Sequence, residues 1–233
     1  MSVIPLPPLK EADIALWLVD LDATSVATDD PSLTELLSEQ EKEKANRFRF
    51  EHDARRYRAS HTALRTLLSR ETGMRAQDLQ FFEGRFGKPH LNANRPLHFN
   101  MSHSGGWALI GICASAPIGV DIEVPRPMDD LDALARRNFS PPEFAAFQAV
   151  EPARQLQRFL QCWTRKEACL KALGSGLSIE PGVFEAGIGS ETLTTTITVD
   201  QGLCHMTVAS IGLPVNALAA GAWIRETDRH LGL

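Results

Sequence analysis

Residues 163–177 read Trp163-Thr164-Arg165-Lys166-Glu167-Ala168-Cys169-Leu170-Lys171-Ala172-Leu173-Gly174-Ser175-Gly176-Leu177. Trp163, Leu170 and Leu173 recur at helical spacing, and the Gly174-Ser175-Gly176 cluster supplies a stop. Thr164, Glu167 and Lys171 stand at i, i+3 and i+7 and form a second stripe, with Lys166 just beside it. One helix thus carries a carboxylate flanked by two lysines, next to apolar anchors and a glycine-rich exit. Carboxylate oxygens hold hard cations, and lysines meet phosphate oxygens as point charges. The same spacing also describes a plain amphipathic surface helix in which Glu167 and Lys171 pair at i, i+4. The surrounding chain has to decide.

Upstream, Ile118-Gly119-Val120-Asp121-Ile122-Glu123-Val124 reads as a strand after Ala116-Pro117, ended by Pro125 and Pro127. Asp121 and Glu123 share one face, with Val120, Ile122 and Val124 on the other. Acidic residues are depleted in strands. The pair is either the solvated face of an antiparallel strand or two oxygen ligands on a rigid element. With Glu167 it makes three carboxylates, a set that suits magnesium or manganese better than zinc. Lys88, His103, Lys166 and Lys171 are the basic groups in reach of such a site, with Lys44 and Arg56 from further upstream. Acid-held cations ringed by lysines are the parts that clamp a diphosphate during phosphoryl transfer. No Gly-x-x-x-x-Gly-Lys-Ser/Thr loop is present, which disfavours an ordinary nucleoside-triphosphate site.

The remaining elements build outward from these two. Ser140-Pro141-Pro142-Glu143 is a helix start with Ser140 as cap and Glu143 three residues on. A helix precedes it at 129–137, and another begins near Pro152 and runs into the opening stretch. The tail is rich in Thr, Val and Ile and predicts antiparallel strands at 192–199, 204–210 and 216–224. In the first half, residues 14–19 read as a buried strand. A turn at 29–31 leads to a helix at 33–37, and Ser38 with Glu41 forms a capping box. Arg55, Arg56, Arg58 and Arg65 give the next helix a basic surface, and Gly73 ends it. A strand follows at 79–82, then a turn over Gly84-Arg85-Phe86-Gly87-Lys88-Pro89. Residues 97–107 read as an extended piece passing into a small polar loop, and 107–113 as a buried strand. The order strand, helices, strands thus occurs twice, which favours α+β over an alternating parallel sheet. No residue-level repeat links the halves.

Bulk composition sets limits. The chain has 233 residues, 24 basic and 29 acidic, a net charge of −5, and 43% hydrophobic residues. That balance argues against a general nucleic-acid binder and leaves room for a local basic pocket. Cys113, Cys162, Cys169 and Cys204 are scattered, with no Cys-x-x-Cys pair, so neither zinc nor a disulfide framework is indicated. There is no secretory leader pattern and no apolar run of membrane-spanning length, so a reducing cytoplasm is the expected home, with no membrane partner.

Taken together, the motifs Gly87-Lys88-Pro89, Phe99-Asn100-Met101-Ser102-His103-Ser104, Gly119-Val120-Asp121-Ile122-Glu123, and Trp163-Thr164-Arg165-Lys166-Glu167-Ala168 continuing to Lys171, Gly174 and Gly176 resemble the 4′-phosphopantetheinyl transferases of the larger, surfactin-synthetase-activating class. The match spans about Gly87 to Leu177, and Lys44 to Arg56 extends it. The resemblance implies an α+β fold of two similar halves in one chain, 1–116 and 117–233, a pseudo-dimer with coenzyme A in the cleft and a monomer in solution. It implies transfer of the phosphopantetheine arm of coenzyme A to a serine of an apo acyl or peptidyl carrier protein, with release of adenosine 3′,5′-bisphosphate. Asp121, Glu123 and Glu167 would hold magnesium, and Glu167 would take the serine proton, directly or through a water. Lys171 and Lys166 would brace the diphosphate. His103, with Ser102 beside it, and Lys44 would meet the 3′-phosphate, and Lys88, Pro89 and Arg56 would enclose the nucleotide. Glu41 stands where relatives carry another basic residue.

Two other readings compete. A non-catalytic module binding coenzyme A or a carrier protein would keep the fold, yet the acidic triad and lysines are intact. A serine hydrolase built on Ser102-His103-Ser104 lacks the Gly-x-Ser-x-Gly elbow.

Overall fold

The computed structural model describes residues 2–23, 34–84, 86–93 and 95–231. The turn expected at 29–31 lies outside the described residues. Of the helix expected at 33–37, the described part is a turn closed by the Leu37 N–H on the Thr34 carbonyl at 3.2 Å.

The first half runs β1 (Ser2–Leu9), β2 (Ile14–Asp20), α1 (Glu39–Ala45), α2 (Glu51–Thr72), β3 (Phe81–Glu83), β4 (Pro89–Leu91), β5 (His98–Ser104) and β6 (Trp107–Cys113). The second runs β7 (Ile118–Glu123), α3 (Leu131–Asn138), α4 (Pro141–Gln148), α5 (Pro152–Leu173), β8 (Leu193–Val199), β9 (Gly202–Ile211) and β10 (Leu218–Ile224). The strands form two four-stranded sheets, ordered β1-β2-β6-β5 and β7-β10-β9-β8, and β3 pairs with β4. The plan is repeated. In each half a first strand (β2 or β7) pairs antiparallel with the last strand (β6 or β10), which pairs antiparallel with the one before it (β5 or β9). Between them each half inserts a 22-residue helix, α2 or α5. Both long helices stop on a left-handed glycine, Gly73 at φ 73° and Gly174 at φ 69°, a conformation that costs glycine little. The fold is α+β with two similar halves.

Local chemistry accounts for the helix starts. Ser38 and Glu41 cap α1 reciprocally at 2.8 and 3.2 Å, and Ser140 and Glu143 do the same for α4 at 2.9 and 3.4 Å. β1 has no strand signature in the sequence because Pro5, Pro7 and Pro8 interrupt it. It is an edge strand, the one place in a sheet where a missing N–H is tolerated. Arg65 belongs to the core, not to the basic surface that its spacing with Arg55, Arg56 and Arg58 suggests. It is 2% exposed, pairs with Glu41 at 2.7 Å and donates to the Ala76 and Leu79 carbonyls. Glu41 is therefore occupied within the fold.

Three packing layers follow. Ala63, Leu64, Leu67 and Leu68 of α2 pack with Val19, Phe99 and Ile110 of the first sheet. Ala168, Cys169, Leu170 and Leu173 of α5 pack with Ile197, Met206, Val208 and Ala220 of the second. Ile14, Leu16, Leu18 and Leu109 from the first sheet share one core with Ile118, Val120, Ile122 and Trp223 from the second. Each such side chain contributes about 1.5–3 kcal/mol on burial, so the seam between the halves is a core rather than a loose contact.

Candidate active site

The extended piece expected from residue 97 is strand, and so is most of the polar loop expected to follow it. β5 continues through Ser104, and Gly105-Gly106 alone make the turn back to Trp107. Its polar residues alternate because one face of β5 meets β7 through side chains. Asn100 Oδ1 accepts from the Val120 N–H at 2.8 Å, Ser102 Oγ donates to Asp121 Oδ1 at 2.8 Å, and Ser104 Oγ donates to Glu123 Oε2 at 2.7 Å. Ser104 also accepts from the Val124 N–H at 3.1 Å. These contacts join the two halves edge to edge and hold both acidic side chains in place.

Helix α5 lies on β7 at its glycine. A Cβ at Gly119 would stand 2.1 Å from the Ala168 carbonyl oxygen and 2.3 Å from the Ala172 nitrogen. Only glycine permits that approach, which carries Glu167 and Lys171 to Asp121. Lys171 Nζ stands 2.5 Å from Asp121 Oδ1 and 3.0 Å from Ser102 Oγ. Asp121 is 4% exposed, and its second oxygen, Oδ2, is buried with no hydrogen-bond partner among the described residues. Burial pushes the Asp121 carboxyl above the usual carboxylate range, opposed by Lys171 and Ser102. Burial also raises Glu167, where Lys171 pulls down and the Asp121 and Glu123 charges push further up. Three carboxylates thus gather with one lysine among them. Among the described residues no three acidic or other metal-ligating groups stand ready-made around a common point. Asp121 Oδ1 is held by Lys171 and Glu123 by Ser104.

The other expected residues are dispersed. Lys166 is not brought to this group. It is fully buried on another face of α5, where it pairs with Glu143 at 2.7 Å and donates to the Pro181 and Phe184 carbonyls. Consecutive strand residues face opposite ways, so Ser102 is buried against Asp121 while His103 is exposed. Lys44 is exposed on α1, its Nζ 5.4 Å from the Tyr57 ring centroid. His61, which no sequence motif marks, stacks on Tyr57 at 3.8 Å and contacts the Tyr57 carbonyl through Nδ1 at 2.9 Å. Burial, aided by the Lys44 and His103 charges, lowers it to about 4. Arg56 forks onto Asp22 at 2.9 and 2.5 Å. Lys88 crosses the seam, donating to the Ile118 carbonyl at 2.9 Å and the Ala172 carbonyl at the end of α5 at 3.0 Å. Burial lowers its ammonium to about 8. Pro89 opens β4 and is exposed. Beside the acidic group, Val124, Met128, Leu134, Phe159 and Trp163 line a cavity of about 240 Å³ that Glu123 borders.

A doubled α+β chain with carboxylates and a lysine gathered at its seam is the pseudo-dimer architecture of the phosphopantetheinyl transferases. The chain belongs to that enzyme family: the description "4′-phosphopantetheinyl transferase superfamily" matches residues 117–209, and "4′-phosphopantetheinyl transferase, N-terminal" matches residues 28–115. It is 36% identical over 182 residues to the 4′-phosphopantetheinyl transferase HetI of Nostoc, covering 75% of this chain and 76% of that one. It is 36% identical over 165 residues to a putative 4′-phosphopantetheinyl transferase of Synechocystis, covering 70% of this chain and 65% of that one. Against the 4′-phosphopantetheinyl transferase Sfp of Bacillus subtilis the identity is 36% over 145 residues, covering 61% and 62% of the two chains.

Proposed function

We propose that this chain transfers the 4′-phosphopantetheine group of coenzyme A to a serine of an apo acyl or peptidyl carrier protein and releases adenosine 3′,5′-bisphosphate, in a magnesium-dependent reaction. One observation carries the reading: Asp121, Glu123 and Glu167, from β7 and α5, lie within electrostatic reach of one another beside Lys171, with Asp121 Oδ2 buried and unpartnered among the described residues. A buried carboxylate oxygen without a donor costs stability unless a cation meets it. An all-oxygen donor set suits magnesium. Asp121, Glu123 and Glu167 would hold the ion, which when bound supplies charge neutralisation at the diphosphate oxygens.

The chain's own groups do the rest. Lys171 is the cation beside the acidic group: its ammonium, held on Asp121 and partly in solvent, is placed to turn to a diphosphate oxygen. Glu167 takes the serine proton through an oxygen left free or through a water, helped by a carboxyl already pushed up by burial and its acidic neighbours. His103 and Lys44 offer hydrogen-bond donors to the 3′-phosphate. The cavity walled by Met128, Leu134 and Trp163, with Glu123, Arg126 and Asn138 as its polar members, suits the uncharged, amide-bearing pantetheine arm. Lys88 and Arg56 act on the nucleotide side through the walls they brace, and Pro89 sets the hairpin edge. The two halves, 1–116 and 117–233, contribute the nucleotide side and the metal side respectively. A single chain suffices, in the cytoplasm. Among the described residues no helix is long and apolar enough to cross a membrane.

The test is mass spectrometry of an apo carrier protein incubated with this protein, coenzyme A and magnesium. A mass gain of one phosphopantetheinyl group is expected, and none with Glu167→Ala or with chelator. Coenzyme A binding with no transfer to several unrelated carriers would point to a binding module instead.

A further inference from the structure

Lys166 is the residue whose surroundings fit its expected role least. Its side chain is wholly buried, and its ammonium has three oxygens around it: Glu143 at 2.7 Å, the Pro181 carbonyl at 2.7 Å and the Phe184 carbonyl at 2.5 Å. Glu143 is equally engaged. Besides capping α4, its Oε1 accepts from the Ala186 and Gly187 N–H groups at 2.7 and 2.9 Å. One buried ion pair therefore ties three elements together: the start of α4, the connection 181–187 that leads into β8, and α5. Arg165 adds a neighbouring anchor, donating to the Ala186 carbonyl and to Ser210 Oγ.

These anchors are one and two residues before Glu167 and lie on a different face of the helix, since successive residues turn by about 100°. Ala168 and Ala172, on the side of α5 away from Lys166, rest on Gly119 of β7. A helix held on both sides has its roll about its own axis fixed. Glu167 and Lys171, half-buried at i and i+4 on the stripe between these supports, inherit that orientation.

We propose that Lys166 is a positioning residue rather than a ligand of the diphosphate, and that its buried pair with Glu143 sets the roll of α5 that aims Glu167 and Lys171 at Asp121. The role in catalysis rests on the transferase reading above; the anchoring of α5 does not. An ion pair in this position is replaceable in a way a substrate ligand is not. Removing one partner strands a charge in the core, whereas removing both leaves a neutral contact of similar volume.

The experiment compares wild type, Lys166→Met, Glu143→Gln and the double variant, each first checked for cooperative unfolding. For Lys166→Met, kcat should fall about 10–100-fold, the cost of a small misplacement of the reacting groups. KM for coenzyme A should stay within about threefold, because no substrate contact is lost. The double variant should recover kcat to within about fivefold of wild type, the non-additivity of coupled neighbours. Hydrogen exchange over 163–171 and 181–187 should quicken in Lys166→Met and return in the double variant. A rise of KM beyond about tenfold that the double variant does not reverse would overturn the proposal in favour of diphosphate binding. Unchanged kcat in a folded Lys166→Met would reduce the pair to a stability element and overturn it too. If wild type itself transfers nothing, the transferase reading fails, while unchanged exchange in both segments still rejects the anchor. Should Lys166→Met not fold, Glu143→Gln and the double variant carry the same comparison.

Discussion

Lys171 Nζ and Asp121 Oδ1 lie 2.5 Å apart across the α5–β7 contact, so the site's lysine neutralises an aspartate that has only 4% of its surface exposed. Lys171→Ala leaves that carboxylate without its cation. Breaking such a pair costs about 2–4 kcal/mol, less than in a fully enclosed pair because the lysine is partly in solvent. A divalent cation on Asp121 and its acidic neighbours replaces the lost charge. Magnesium should therefore raise the melting temperature of Lys171→Ala more than that of wild type, while transfer activity stays low. Thermal unfolding with and without magnesium checks this, and an equal magnesium effect in the two proteins counts against the cation site.

Gly119 is the second point of leverage. The atoms that a Cβ there would strike, the Ala168 carbonyl at 2.1 Å and the Ala172 nitrogen at 2.3 Å, are helix backbone and cannot swing away. Gly119→Ala should cost about 3 kcal/mol, at the upper end of overpacking, and lower the melting temperature by about 6–12 °C. Gly212, where an added Cβ would meet nothing within 4 Å, is the matched control, and Gly212→Ala should stay within about 0.5 kcal/mol of wild type. Equal melting temperatures for the two variants would mean that α5 does not lie where the structure puts it.

Lys88 gives a pH signature. Burial lowers its ammonium to about 8, while in the unfolded chain it titrates near about 10.4. Between those values the unfolded state binds more protons than the folded one, so stability rises with pH across that window and is flat in this group below it. The neutral amine still donates to the Ile118 and Ala172 carbonyls, so deprotonation removes a desolvation cost without removing the bonds. The gain should be about 2 kcal/mol by about pH 10 relative to a Lys88→Met variant. Urea unfolding of both proteins from neutral pH to about pH 10 measures it, and parallel curves would show that Lys88 is solvated.

Much of the architecture is legible in residues, and the failures have physical causes. The capping boxes at Ser38 and Ser140 are local, and both form. The α5 helix and the β7 strand carry their own periodicity, so their existence follows from pattern. Ser102 and Ser104 read as loop because serine, asparagine and histidine in close succession look like turn chemistry. They are strand because β7, later in the chain, supplies the partners. Lys166 and Lys171 look alike as charges on one helix. Whether a lysine faces the site or Glu143 depends on which side of α5 the chain returns to, and no spacing encodes that. Arg65 likewise reads as surface until Glu41 and the residue 76–79 turn close over it.

His103 and Lys44 yield the sharpest test of the nucleotide side. Both are exposed, from β5 and α1, and the half-buried His61 with its Tyr57 stack lies behind them. If they meet the 3′-phosphate, their worth appears only when that phosphate is present. Charge-assisted hydrogen bonds contribute about 1.5–3 kcal/mol, which is roughly 10- to 150-fold in affinity. His103→Gln and Lys44→Met should each weaken coenzyme A binding by a factor in that range. Neither should change the binding of dephospho-coenzyme A, which lacks the 3′-phosphate. Calorimetric titration with both ligands separates the cases. Equal losses for the two would move these residues off the 3′-phosphate and onto the diphosphate or the base, whereas no loss for either would leave the exposed rim of β5 and α1 to the carrier protein.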